Sequence, residues 1–210
     1  MDEYLLDDLH PGWNLISNPL VISMNINNIN IIHDNNVMNW EDANAVGLIA
    51  PYLLEFDENN TLIPSYQVEP YKGYWLYLYD EVDIEFKSKV QIEDNIEGSL
   101  LNTDFIINLY SNSFGQSSSV FGDYIQLGYG LDASNGFVDG IDVPSLDYQY
   151  FSKYTSMHIK NNQINENNPY AQLSRDIREH YQPIYIWDIE GTSQAIYDQD
   201  INPDSEIELF

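Results

Sequence analysis

The residues from Asp132 to Asp142, Asp132-Ala133-Ser134-Asn135-Gly136-Phe137-Val138-Asp139-Gly140-Ile141-Asp142, set side-chain oxygens at Asp132, Ser134, Asp139 and Asp142 around two glycines. Calcium takes six to eight hard oxygen ligands, and a glycine permits the sharp turn that brings them together. These four residues are therefore the candidate metal ligands, with calcium as the cofactor and Asp139 and Asp142 the most telling positions. The stretch is one residue shorter than an EF-hand loop and no glutamate closes it. A second reading stays open beside the first. In an Asx-turn loop, Asp132, Ser134 and Asn135 bond the local backbone and hold no ion.

Aromatic residues supply the other candidate chemistry. Trp13, Tyr74, Trp75, Tyr77 and Tyr79 belong to two short apolar runs, and flat rings stack well on sugars. Trp13 and Trp75 are expected in the core, because large aromatics bury most of their area. Tyr77 and Tyr79 remain as candidate ligand-binding residues. His10, His33, His158 and His180 are scattered and show neither HxH nor HExxH spacing. The sequence has no GxSxG elbow, P-loop or GxGxxG turn. With 34 acids, chance carboxylate pairs abound, and spacing alone picks out no glycosidase pair. Arg175 and Arg178 are expected to pair with acids within the sandwich, with an anion site there as the minority reading. The chain thus reads as a non-enzyme.

The charge balance narrows the partners. Seven Lys and Arg stand against 34 Asp and Glu, a net charge of −27 over 210 residues. Such a chain is repelled by nucleic-acid phosphate and by anionic membrane surfaces. Cysteine is absent, so there are no disulfides and no thiolate metal site. No apolar run approaches the roughly 20 residues of a membrane span. The opening Met1-Asp2-Glu3-Tyr4-Leu5-Leu6-Asp7-Asp8 lacks the basic and apolar segments of a signal peptide. Seventeen tyrosines suit β-sheets and contact surfaces alike.

The elements that must position these residues are mostly strands. Trp13–Ser17 is entered from the Pro11-Gly12 turn. Asn39 caps a helix beginning at Trp40, with Trp40, Ala43, Val46 and Ile49 on one face and Pro51 as its stop. Leu53–Phe56 and Thr61–Ile63 flank an acidic hairpin turn. Tyr74–Tyr79 is apolar on both faces, and Val82, Ile84 and Phe86 alternate with charged residues. Further strands are expected at Thr103–Tyr110, Tyr124–Tyr129 and Ile184–Ile189. Asp204–Phe210 is strand-like, Ser111–Ser119 is a loop, Gly130 to about Gln172 is irregular, and Asn25–Asn30 is low-complexity and left without a regular element. The acidic Gln91–Gly98 reads as a linker or a domain-joining strand. The expected fold is mainly β: two β-rich modules in tandem, a small one with one short helix at 8–90 and an antiparallel β-sandwich at 99–210.

Gly12-Trp13-Asn14-Leu15-Ile16-Ser17 and Lys72-Gly73-Tyr74-Trp75, with Trp40-Glu41-Asp42-Ala43 and Gly47-Leu48-Ile49 between them, resemble the GWNLIS/KGYW-type modules of secreted and surface proteins of bacteria and archaea. Asp132–Phe137, Asp139–Pro144, Arg175–Arg178 and Trp187 resemble a DGFDxxxDVP-type module of large bacterial surface proteins, with Ser145-Leu146 where that family has two prolines. The resemblance implies that Trp13 and Trp75 sit in adjacent strands and pack together. It also implies that the chain is a structural or adhesive component of an extracellular surface, fibre or virion, whose partners are other protein subunits or adjacent domains of a larger assembly. Carbohydrate binding through exposed Tyr and Trp is the alternative, with glycans as the partner.

Overall fold

The computed structural model describes residues 3–87, 103–111, 122–131, 133–146, 153–161, 168–179 and 187–195. The protein is mainly β, with one short α-helix among the described residues. The expected linker Gln91–Gly98, the loop 112–119, Ile184–Ile186 and Asp204–Phe210 lie outside the described residues. The chain divides into two compact units. Unit 1 comprises Met1–Glu55, Pro64–Asn102 and Val138–Ile141; unit 2 comprises Phe56–Ile63, Thr103–Phe137 and Asp142–Phe210.

Two four-stranded sheets build unit 1. The first orders β1 (Glu3–Leu9), β10 (Val82–Lys87), β4 (Asn30–His33) and β5 (Asn36–Met38) side by side. The second orders β2 (Gly12–Ser17), β9 (Gly73–Leu78), β6 (Leu53–Phe56) and β7 (Leu62–Ser65), the last two strands reaching into the hairpin assigned to unit 2. A small ribbon pairs β3 (Met24–Asn25) with β8 (Gln67–Val68). Alternation decides which side chains turn inward. Val82, Ile84 and Phe86 of β10 are buried while Asp83, Glu85 and Lys87 stay half-exposed. They share one apolar cluster with Ile16, Tyr74, Leu76 and Leu78 of the other sheet and with Trp40 and Ala43. Each large apolar side chain removed from water there contributes about 1.5–3 kcal/mol.

Helix α1 (Trp40–Ala45) starts where the sequence predicts, with Asn39 Oδ1 accepting from the Asp42 amide at 2.7 Å. It ends earlier than Pro51. Gly47 takes a positive φ of 77° and turns the chain away, Val46 is exposed, and Ile49 is buried through a β-bridge to Leu78. The Asn25–Asn30 stretch is also regular: Asn25 caps a 3-10 turn over Ile26–Asn28, and β4 follows. Ile26 and Ile29 drive this, both buried in the cluster of unit 1. Strand β1, in a segment read only for the lack of a signal peptide, pairs with β10 along Glu3–Leu9.

The described strands of unit 2 join one sheet in the order β11 (Thr103–Ser111), β12 (Asp123–Gly130), β15 (Gln172–Glu179), β14 (Lys153–Lys160) and β16 (Ile189–Ala195), with β13 (Val143–Pro144) also on β15. The expected irregular span from Gly130 to Gln172 therefore holds β13 and β14. Thr155, Met157 and Ile159 of β14 point into the core and their neighbours do not, a period of two. The β12–β15 pair is parallel, unlike the antiparallel pairing expected throughout. A parallel pair needs a long crossover, and the intervening chain with β13 and β14 provides it. Ile125, Leu127, Met157, Ile159 and Leu173 form the described core.

Within unit 2, hairpin residues 56–63 meet Gly122 through backbone hydrogen bonds. The Leu62 amide donates to the Gly122 carbonyl at 3.2 Å, and the Gly122 amide to the Asn60 carbonyl at 2.9 Å. The acidic turn is real: Asp57 Oδ1 accepts from the amides of Asn59 and Thr61 at 2.8 and 2.7 Å, and Asn60 takes a φ of 59°.

Candidate functional site

The loop of candidate calcium ligands is divided between the units, with Asp139 in unit 1 and Ser134 and Asp142 in unit 2. Asp132 lies outside the described residues. Ser134 Oγ donates to the Gly136 carbonyl at 3.0 Å and accepts from the Gly136 amide at 3.1 Å, a local turn of the kind the second sequence reading names. Asp142 is fully buried, and its Oδ1 accepts from the Ile177 amide at 2.9 Å, which ties the loop to β15. Asp139 is exposed overall, and partial burial of its carboxyl pushes that group above the ordinary range. Among the described residues, no three His, Asp or Glu side chains stand where they could share a metal ion.

Glycine geometry seats the middle of this loop. Gly140 takes a φ of 80°, and a Cβ there would meet the Asn44 carbonyl oxygen at 2.4 Å. The Asn44 side chain donates to the carbonyls of Gly140 and Ile49, both at 2.8 Å. A Cβ at Gly47 would come within 3.1 Å of the Asp139 Cβ. Asn44 was not singled out in the sequence. Its only signal is a polar residue one place after the apolar Ala43 on a helix otherwise buried on that side.

The aromatic residues pair differently from expectation. The β2–β9 register sets Trp13 opposite Tyr77 and Trp75 opposite Leu15. Trp13 meets Tyr77 edge to face at 5.2 Å between ring centroids, and Tyr77 meets Tyr79 in the same manner at 5.0 Å. Tyr77 is only 5% exposed, so its faces serve packing, while Tyr79, Trp13 and Trp75 are half-buried. The fully buried tryptophan is Trp40, whose indole N–H donates to the Ala50 carbonyl at 3.1 Å.

Two histidines, treated singly in the sequence, share a cleft in unit 1. It has a volume of about 470 Å³, and His10, His33, Asp34, Asp80, Glu81 and Asp83 are among its lining residues. His33 Nδ1 stands 2.9 Å from the Glu81 carbonyl, and its Nε2 lies 3.5 Å from Asp34 Oδ2. His10 Nδ1 is 3.8 Å from Glu81 Oε1. These contacts tie three turns together across exposed surface, where ion pairs contribute little.

Buried polar groups are more prominent in unit 2. Asp123 Oδ1 accepts from the Tyr124 amide at 2.7 Å and its Oδ2 from the Met157 amide at 2.8 Å, which joins β12 to β14. Ser111 Oγ accepts from the Asp123 amide at 3.0 Å. Arg178, expected to pair with an acid, donates from Nε to Asp176 Oδ2 at 3.0 Å and lies over the Trp187 ring at 5.0 Å. Burial nevertheless holds the Asp176 carboxyl above its ordinary range, with Arg178 opposing. Arg175 is buried too. Compared with known proteins, the chain matches no family model, no curated protein and no solved structure.

Proposed function

We propose that this protein is a non-catalytic structural or adhesive component of an extracellular surface, fibre or virion, and that it works by assembling with other protein subunits. One observation carries the reading: the polar side chains best suited to chemistry are engaged in holding backbone. Asp142 receives the Ile177 amide, Asp123 those of Tyr124 and Met157, and Ser134 turns its own loop. A mainly β scaffold with a net charge of −27 agrees with a stable, solvated part of a larger array. Among the described residues, no helix is long and apolar enough to cross a membrane.

Light scattering across a salt series tests the reading. Copies this negative repel one another at low ionic strength, and a Debye length of about 8 Å at physiological salt removes much of that repulsion. The expected result is a mass that rises with salt. A strictly monomeric mass at every salt and protein concentration defeats self-assembly and shifts the weight to glycan binding, for which the half-buried rings of Trp13 and Tyr79 beside Tyr77 are the supporting feature. The same series with Ca²⁺ examines the loop. A ligand that binds only the folded chain raises its Tm, so a calcium-dependent rise lost in Asp139→Asn supports the metal reading. An unchanged wild-type Tm leaves the loop a turn.

A further inference from the structure

We propose that β11 is the self-association edge of this protein, and that two copies join there through antiparallel β11–β11 pairing about a two-fold axis. The inference rests on the assembly reading above and names its surface. β11 is the terminal strand of its sheet, nine residues long, and among the described residues it pairs only with β12. Phe105, Ile106, Ile107 and Tyr110 are 45%, 37%, 39% and 39% exposed, so apolar groups reach solvent on both faces of the strand. A long edge of this kind is a template for another strand.

Charge names the occupant. In a chain with 34 acids, almost any surface repels a second copy, yet Phe105–Ser111 contains no Asp, Glu, Lys, Arg or His. A two-fold axis through Ile107 sets Ile107 against its own copy, Phe105 against Leu109 and Asp104 against Tyr110. No like charges face each other in that register, and like charges directly opposite are what destabilise strand pairs. An isologous contact of this kind closes as a dimer.

The other edges carry the devices by which proteins block such pairing. β1 bears Glu3 and Asp7, and β16 bears Glu190. β5 has three residues, and β7 contains Pro64. β2 is uncharged but shorter, and the Asn14 side chain already donates to the carbonyls of His10 and Gly12 at 2.8 and 3.0 Å.

Sedimentation velocity on the full chain at physiological salt, with hydrogen exchange on the same samples, tests the proposal. Wild type is expected to dimerise with rising concentration, and β11 amides are expected to slow in step. Ile107→Glu, which sets two carboxylates across the axis, should weaken association at least tenfold. Val37→Glu, on exposed β5, should leave it unchanged. Wild-type association with β11 amides insensitive to concentration overturns the proposal and leaves the assembly reading standing. Association undiminished in a folded Ile107→Glu does the same. Should that variant not fold by circular dichroism, the wild-type exchange data decide. A wild type monomeric at every concentration and salt overturns both.

Discussion

Units 1 and 2 are both β, yet different forces define them. Unit 1 surrounds a large apolar cluster fed by two sheets and a helix, and most of its buried residues are Ile, Leu, Val and aromatics. The described core of unit 2 is smaller, and beside it lie buried Asp123, Asp142, Arg175 and Asp176. Apolar burial is non-directional and forgives small shifts. A buried carboxylate that receives two amides specifies one strand placement and leaves orphaned donors when removed. Unit 1 is thus held mainly by volume and unit 2 substantially by direction.

The sharpest way to break this contrast is to truncate each kind of anchor. Trp40→Ala in unit 1 is expected to cost about 3–5 kcal/mol in urea denaturation, since it empties a fully buried site and orphans the Ala50 carbonyl. A cost below about 1 kcal/mol would show that the cluster is not what holds unit 1. In unit 2, Asp123→Ala should cost about 2–3 kcal/mol by stranding the amides of Tyr124 and Met157, and Asp123→Asn should recover part of it. Near-neutrality of the alanine variant would mean that unit 2 also stands on apolar packing.

Gly128→Ala probes shape without removing any group. The added methyl would lie 2.4 Å from the Phe105 carbonyl oxygen and 2.9 Å from Ile177 Cδ1, so a loss of about 1–3 kcal/mol is expected, read as a lower Tm.

The smallest effect is a difference in sign with pH. Bonds from Lys87 and then Asn30 hold the Glu85 carboxyl below its ordinary range in unit 1. Its contribution is present above the unfolded value and lost as pH falls through the folded one. Asp176 in unit 2 is raised by burial, so its contribution is full below the unfolded value and lost as pH rises through the folded one. Glu85→Gln should therefore flatten stability against pH just below the ordinary Glu range, and Asp176→Asn just above the ordinary Asp range. Matching pH–stability curves for wild type and both variants would remove this part of the comparison.

What could be read in the sequence follows the same division. Alternation in Val82–Lys87, the Asn39 cap, the Asp57–Asn60 turn and the apolar Tyr74–Tyr79 run are local signals, and a strand, a helix start, a turn and the strand Gly73–Leu78 stand there. The parallel β12–β15 pair and the Trp13–Tyr77 contact depend on register between distant segments, which no local pattern encodes. Asn25–Asn30 misled because asparagine marks loops on average, whereas here Asn25 caps a turn that delivers two isoleucines to the core. At the candidate site, the spacing of Asp139 and Asp142 was visible, but the Ile177 amide that engages Asp142 lies 35 residues away. The cleft beside His10 and His33 was equally hidden, since three separate turns compose it.

The seating of Gly140 on Asn44 has a consequence for how the chain leaves the ribosome. Ninety-six positions separate these two residues, so the nascent chain can display both sheets of unit 1 long before their last contact exists. Over that interval Asn44 has the Ile49 carbonyl as a partner but not that of Gly140. The hairpin tip at Asn60 waits in the same way for Gly122. Synthesis from N- to C-terminus therefore yields a provisional unit 1 that matures only after residue 141 emerges. Chains stopped after residue 102 should be cleaved by protease near Asn44 and Gly47 faster than chains stopped after residue 146, and equal cleavage would refute this order of maturation.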